Sequence, residues 1–185
     1  AWSITSGGGA LSSTAQTSNP SAVTYTPAAN FTGTVTLTLT TNAPGACSAV
    51  SAIRTINVNP APTVTAGTSS DICQSATPSA ITLSGASVGG SATTGAWSIT
   101  SGGGALSTTA QTSNPSSVTY TPAANFTGTV TLTLTTNAPG ACGAVSATRT
   151  INVNRAPTVT AGTSPDICQS GSPTAITLSG ASVGG

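Results

Sequence analysis

The sequence repeats itself with a period of 95 residues, and this repeat constrains the fold more than any other feature. The segment AWSITSGGGALS begins at Ala1 and returns at Ala96. Residues 1–90 align without gaps to residues 96–185, and 81 of the 90 aligned positions are identical. Solenoid units are about 20–50 residues long, whereas a period of this length suits a complete small domain. The sequence therefore predicts a series of similar domains, each of which buries its own core.

Prolyl segments mark the expected domain boundaries. The segment NPAP begins at Asn59 and returns as NRAP at Asn154. The residue before a proline favours extended backbone, which suits a short linker. Residues 1–59 are then the C-terminal part of one repeat, residues 60–154 a complete repeat, and residues 155–185 the N-terminal part of the next. This division predicts that the sequence is a slice of a longer tandem array.

An alternation of apolar and hydroxyl side chains predicts an all-β fold. In the clearest strand, Val130, Leu132 and Leu134 share one face and threonines occupy the other. The helix formers Glu, Lys and Met are absent, whereas β-branched Thr and Val are abundant. The strands of the complete repeat are expected at residues 62–66, 80–86, 96–100, 106–112, 117–121, 129–135 and 150–154. Short strands at this spacing are typical of a β-sandwich of about seven strands.

The expected core is poor in aromatic side chains. Its bulk is expected to come from Trp97, Tyr120, Phe126, Leu132 and Leu134. A small core benefits from covalent cross-links, and each repeat carries two cysteines.

The four cysteines are expected to form disulfides in an oxidising compartment. The favoured pair is Cys73–Cys142 within the complete repeat, and the partners of Cys47 and Cys168 are expected outside the sequence. The alternative is an inter-domain disulfide. If the strand at 62–66 is fully extended, Cys73 is too far from Cys142 to bond and faces the equivalent turn of the following domain. The sequence leaves both pairings open.

The side-chain inventory argues against catalysis and against several kinds of partner. No His, Lys or Glu is present, so the hydroxyl groups have no general base to activate them. Zinc needs four ligands and calcium several carboxylates, so neither a metal nor another cofactor is expected. Arg54, Arg149 and Arg155 are too few to bind a phosphate backbone, and no apolar run reaches the roughly 20 residues that span a bilayer. We therefore expect no enzyme activity, no nucleic-acid partner and no membrane span.

Three segments resemble a known family. They are VTYTPAANFTGT from Val118, APTVTAG from Ala61 with ICQ from Ile72, and ACGAVSA from Ala141. These segments resemble the Ig-like, PKD-like and cadherin-like tandem repeats of giant surface and secreted proteins of Bacteroidota, which the type IX system typically exports. The resemblance implies tandem Ig-like (PKD-like) β-sandwich domains located outside the cell or on its surface, with roles in adhesion, gliding or filament building.

The expected function is that of a structural repeat module in a filament or adhesin stalk. Its partners are then neighbouring repeats of the same chain and other copies in a filament or bundle. The alternative is an adhesive module that binds glycans or a protein through its loops or through the threonine row of one strand, Thr129, Thr131, Thr133 and Thr135.

Overall fold

The computed structural model describes residues 1–185, which form β-strands joined by turns and two short 3₁₀ turns, Pro20–Ala22 and Pro115–Ser117. The all-β fold expected from the sequence is confirmed. The chain divides into two compact units. The first contains Ala1–Thr63, Gly89–Thr93 and Ala138–Ala144, and the second contains Val64–Val88, Thr94–Asn137 and Val145–Gly185.

The first unit contains an antiparallel three-stranded sheet and a small two-stranded one. Its strands are β1 (Trp2–Ser6), β2 (Ala10–Leu11), β3 (Tyr25–Thr26), β4 (Gly33–Thr40) and β5 (Ser51–Val58). The larger sheet has the order β1-β4-β5, and β2 pairs with β3. The apolar side chains Trp2, Tyr25, Leu37 and Ile56 border an open cavity of about 440 Å³.

The other strands begin at Thr63, and most of them belong to the second unit. They are β6 (Thr63–Thr65), β7 (Ile72–Cys73), β8 (Ile81–Thr82), β9 (Ser87–Gly89), β10 (Gly95–Ser101), β11 (Gly104–Leu106), β12 (Thr119–Pro122), β13 (Gly128–Thr136), β14 (Ser146–Asn154), β15 (Thr158–Thr160) and β16 (Ser182–Gly184).

Seven of these strands form the two sheets of a sandwich. One sheet has the order β10-β13-β14-β7 and the other the order β11-β12-β8. All pairs are antiparallel except the pair of β7 with β14, which is parallel. The strands β6 and β9 pair with each other, as do β15 and β16.

One cluster of buried side chains joins the two sheets. Its members are Ala66, Leu83, Ala86, Trp97, Val118, Tyr120, Val130, Leu132, Leu134, Ile151 and Val153. Phe126 is half-buried and packs against this cluster. Burial of each large apolar side chain stabilises the fold by roughly 1.5–3 kcal/mol.

The alternation of β13 shows how the sequence directs this packing. Val130, Leu132 and Leu134 are each 0% exposed, whereas the intervening threonines lie on the other face. Trp97 of β10 stands opposite Leu134 in the antiparallel register. The core face of the four-stranded sheet therefore follows directly from the period of two.

Three local expectations differ from the structure. Of the strand expected at 80–86 only β8 forms, because a turn at Ser84 and Gly85 (φ +78°) ends it before β9 begins. The strand expected at 106–112 lies earlier in the chain, as β11. The segment 71–74 lies outside the expected strands, but it contains β7. A strand of two residues in a parallel edge pair is too short to give a periodic sequence signal.

Candidate functional site

The cysteines were the candidate site residues, and the structure leaves all four thiols free. Cys73 lies in β7 and stands opposite Asn154, the last residue of β14. The next residue, Gln74, donates its backbone N–H to Asn154 O at 2.7 Å, and its side-chain Oε1 accepts a hydrogen bond from Ala156 N at 3.3 Å. Cys73 is therefore held beside the segment that follows β14, with its side chain exposed to solvent.

Cys142 lies in the loop between β13 and β14, and its contacts fall within the first unit. Its Sγ lies 3.8 Å from Pro60 O. In the same loop, a Cβ at Gly140 would lie 3.6 Å from Asn59 Nδ2. The half-buried Cys142 thiol therefore lies against residues 59–63, which we call the linker.

The structure contains no bond between Cys73 and Cys142, the favoured pair, and the length of β14 explains their separation. This strand has nine residues, from Ser146 to Asn154, and spans about 27 Å. Cys73 stands beside the last residue, whereas Cys142 precedes the first by four residues, which reach at most about 14 Å. Because a disulfide needs Cα atoms about 4.4–6.8 Å apart, these two cysteines cannot meet.

The second unit contains a buried cation that the sequence interpretation missed. Arg149 in β14 is 4% exposed. Its Nε donates to Ser69 Oγ at 2.6 Å, and its Nη1 donates to Ala66 O at 3.3 Å and to Ser84 O at 2.9 Å. Its Nη2 donates to Thr68 O. We call Arg149 and these four acceptors the arginine clamp, because they tie the segment after β6 and the turn after β8 to the four-stranded sheet.

The alternation of β14 contained a signal for the arginine clamp. Ile151 and Val153 of β14 face the core, and the period of two places Arg149 on the same face. A buried guanidinium without a carboxylate partner needs neutral oxygen acceptors, and this fold supplies carbonyl and hydroxyl groups. Burial lowers the pKa of the Arg149 guanidinium below its ordinary value, yet an arginine stays protonated in proteins. The clamp therefore carries a permanent charge with a structural role.

The two large aromatic side chains of the core are also satisfied as hydrogen-bond donors. Trp97 is 1% exposed, and its Nε1 donates to Pro115 O at 3.0 Å. Tyr120 is 0% exposed, and its hydroxyl donates to Gly103 O. The neighbouring Gly104 has φ +133°, a left-handed conformation that favours glycine. These bonds fix the 3₁₀ turn and the turn after β10 against the core.

We expect the stability of the second unit to fall as the pH rises above about 10. Burial raises the pKa of the Tyr120 hydroxyl above its ordinary value, and an unfolded tyrosine titrates near pH 10. The unfolded chain therefore loses this proton first, so its contribution to stability is complete below pH 10 and is lost as the pH rises through the folded pKa. Urea unfolding between pH 8 and 11.5 measures this loss.

The variant Tyr120→Phe is the control for this titration. It lacks the hydroxyl, so its lower stability should change less with pH over the same range, and the difference between the two proteins should narrow. Equal slopes in the two proteins would show that Tyr120 is not the responsible group.

The outward side chains of β10, β13 and β14 form a continuous surface, which we call the hydroxyl face. It extends the threonine row of β13 across three strands. Thr133 stands opposite Thr148, and Thr131 opposite Thr150, in the register of β13 with β14. The full set is Ser98, Thr100, Thr129, Thr131, Thr133, Thr135, Ser146, Thr148, Thr150 and Asn152.

Hydrogen bonds between side chains order the hydroxyl face. Thr129 Oγ1 donates to Asn152 Oδ1 at 2.9 Å, and Thr135 and Ser146 share a hydrogen bond of 2.8 Å. Thr100 and Thr133 also share one. No charged residue belongs to the hydroxyl face, so any ligand there would meet hydroxyl, methyl and amide groups.

A metal site and a membrane-spanning helix are two further features on which the structure bears. No group of three or more His, Cys, Asp or Glu side chains is arranged to hold a metal ion. The chain has no helix of the length and hydropathy needed to span a membrane.

The fold places the chain in the class of all-β sandwich proteins. No protein-family model matches the chain, and no curated protein matches it either.

Proposed function

We propose that the chain is a structural repeat module of an extracellular or cell-surface filament or adhesin stalk, which spaces or assembles without catalysis. The main supporting observation is that the linker is held in place. Within the first unit it lies with the loops 89–93 and 138–144, which the 95-residue period assigns to the repeat that follows the linker. A linker of this kind favours a stiff spacer over a flexible tether.

The closest approach to the linker is made by Gly90. Its φ is +65°, and a Cβ at this position would lie 1.9 Å from Ala61 O and 3.2 Å from Pro62 Cα. Next to it, a Cβ at Gly89 would lie 2.9 Å from Thr63 Oγ1. Any larger residue at Gly90 would displace the linker, so this glycine is expected to be essential for the stiffness of the spacer.

The surface chemistry supports the assembly of such modules. The chain has a formal net charge of +1, and charged residues make up 3% of it. Neighbouring copies would therefore experience little electrostatic repulsion, which favours lateral association into bundles. The resemblance to Bacteroidota surface repeats supports the extracellular location and the bacterial source that we include in this proposal.

The proposal predicts a thin, stiff fibre for a chain of ten consecutive 95-residue repeats. Negative-stain electron microscopy should show a regular axial rise of about 35–40 Å per repeat, which is the length of ten to twelve extended residues. The change Gly90→Val, made in every repeat, should turn the fibre into a flexible chain of beads. Gly143→Ala is the matched control, because nothing lies within 4 Å of a Cβ there. Compact particles in place of fibres would contradict the proposal.

The hydroxyl face supports a second candidate, an adhesive module that binds glycans or a protein partner. Its ordered hydroxyl groups cover three strands, which makes it larger than the single threonine row that the sequence suggested. The same ten-repeat protein distinguishes the candidates on a glycan array. Binding that is lost on changing Thr131 and Thr133 to valine would favour adhesion, and an absence of binding would favour the structural function.

A further inference from the structure

Cys73 and Cys142 lie beside the same part of the repeat, once the 95-residue period is taken into account. Asn59 and Asn154 occupy the same position in the repeat, at the end of β5 or β14 where the next segment begins. Cys73 stands opposite Asn154. Cys142 lies against Pro60, the residue after Asn59. Each cysteine is therefore within one residue of the same linker position, one in the repeat before the linker and the other in the repeat after it.

We propose that successive repeats are joined by a disulfide between the Cys73 position of one repeat and the Cys142 position of the next. In this chain, Cys73 bonds to the Cys142 position of the repeat that follows, and Cys142 bonds to the Cys73 position of the repeat that precedes. This inference rests on the proposed function, because it requires repeats in tandem. The disulfide would join the two repeats covalently across the linker, in addition to the non-covalent contacts that hold the linker.

Contacts on both sides of the linker position hold the cysteine segments in place. On one side, Gln74 binds the backbone of Asn154 and of Ala156, at 2.7 and 3.3 Å. On the other side, the loop of Cys142 lies close to Asn59 and Pro60. The Sγ of Cys142 is 3.8 Å from Pro60 O, and a Cβ at Gly140 would lie 3.6 Å from Asn59 Nδ2. Two segments that are held within one residue of the same linker position can bring their sulfur atoms together with a small loop adjustment.

The same pairing accounts for the four free thiols. An inter-repeat bond needs the Cys73 position of one repeat and the Cys142 position of the next, and residues 1–185 contain no such pair. The intradomain pair would need only Cys73 and Cys142, which are both present and lie at opposite ends of β14. Inter-repeat pairing is therefore compatible with the free state of Cys73 and Cys142, whereas intradomain pairing would need one of the two segments to move.

The bond requires an oxidant, for which an external disulfide suffices. The two cysteine thiols lose two protons and two electrons as their sulfur atoms form one S–S bond. The external disulfide, in a thiol oxidoreductase or in oxidised glutathione, accepts these protons and electrons and becomes two thiols. Both sites are open to this exchange, since Cys73 is exposed and Cys142 is only half-buried.

A chain with a completed third repeat lets the two pairings compete for one cysteine. Residues 91–154 are appended after Gly185, so that the appended copy of Cys142 can bond either to Cys73 or to Cys168. Cys47→Ser and Cys142→Ser remove the other thiols. After oxidation with oxidised glutathione, mass spectrometry of non-reduced peptides identifies the partner. The Cys73 peptide contains Ala76 and the Cys168 peptide contains Gly171, so the two are distinguishable.

We expect the appended cysteine to bond to Cys73 and to leave Cys168 free. Cys73→Ser should abolish the cross-link, whereas Cys168→Ser should leave its yield unchanged. A bond between the appended cysteine and Cys168 would overturn the inference, and so would three free thiols after oxidation. Either result would leave the fibre test of the proposed function unaffected, and a cross-linked protein that forms no fibres would contradict the proposed function alone.

Discussion

Replacement of Arg149 by alanine is expected to lower the free energy of unfolding of the second unit by about 3–5 kcal/mol. The substitution removes a guanidinium that is 4% exposed and leaves its oxygen acceptors without a donor. Three of the acceptors are backbone carbonyls, of Ala66, Thr68 and Ser84, which cannot turn toward solvent without movement of the chain. A buried carbonyl that loses its partner costs about 1–3 kcal/mol, so the loss is large for a single side chain.

Urea unfolding, followed by the fluorescence of Trp97 in a Trp2→Phe background, measures this effect. Arg54→Ala is the matched control, because Arg54 has the same position in the repeat but is exposed. Its effect should stay within about 0.5 kcal/mol, as for other surface substitutions. Arg149→Lys keeps the charge but not the planar fork of donors, so its stability should be intermediate. A loss for Arg149→Ala as small as that for Arg54→Ala would contradict the structural role of the arginine clamp.

Replacement of Trp97 by alanine is expected to lower the free energy of unfolding of the second unit by about 3–5 kcal/mol. Trp97 is the largest fully buried side chain of the sandwich and lies opposite Leu134 in the pair of β10 with β13. Truncation removes its apolar area, leaves a cavity between the sheets and deprives Pro115 O of its donor. The 3₁₀ turn that carries this carbonyl should loosen together with the core.

Far-ultraviolet circular dichroism during urea unfolding measures this loss without a need for tryptophan fluorescence. Trp97→Phe retains most of the ring but not the N–H group, so it should cost less than Trp97→Ala. Trp2→Ala tests the same repeat position in the first unit, where the ring borders an open cavity, and its effect should be smaller. Equal losses for Trp2→Ala and Trp97→Ala would contradict this prediction, because burial of the ring in the core would then add nothing to its effect on stability.

Arg54 and Arg149 show why the same local sequence has two structural outcomes. The segment RTINVN begins at each arginine, and each lies in the strand that pairs with the threonine-rich strand before it. Arg149 is buried because the segment after β6 and the turn after β8 surround it. The positions 95 residues before these acceptors fall outside residues 1–185, so Arg54 lacks the same surroundings here. The difference depends on long-range contacts, which local sequence does not contain.

Local sequence was sufficient to predict the long strands and much of the core. The alternation of Val130, Leu132 and Leu134 with threonine determined which face of β13 is buried, because a strand turns successive side chains to opposite faces. The 95-residue period and the prolyl segments predict where repeats begin and end, and these boundaries stay a prediction. The threonine row of β13 was likewise visible in the sequence, although its extension to β10 and β14 depended on the strand register.

Tertiary structure alone decided which groups meet across the sheets and at the linker. The two cysteines of one repeat are separated by the length of β14, a distance that depends on the parallel pairing of the two-residue strand β7. The acceptors of Arg149 come from positions 65 to 83 residues earlier in the chain. A period of two specifies the face of a side chain but not its partner, because partners are chosen by the order of strands in the sheet and by the turns between them.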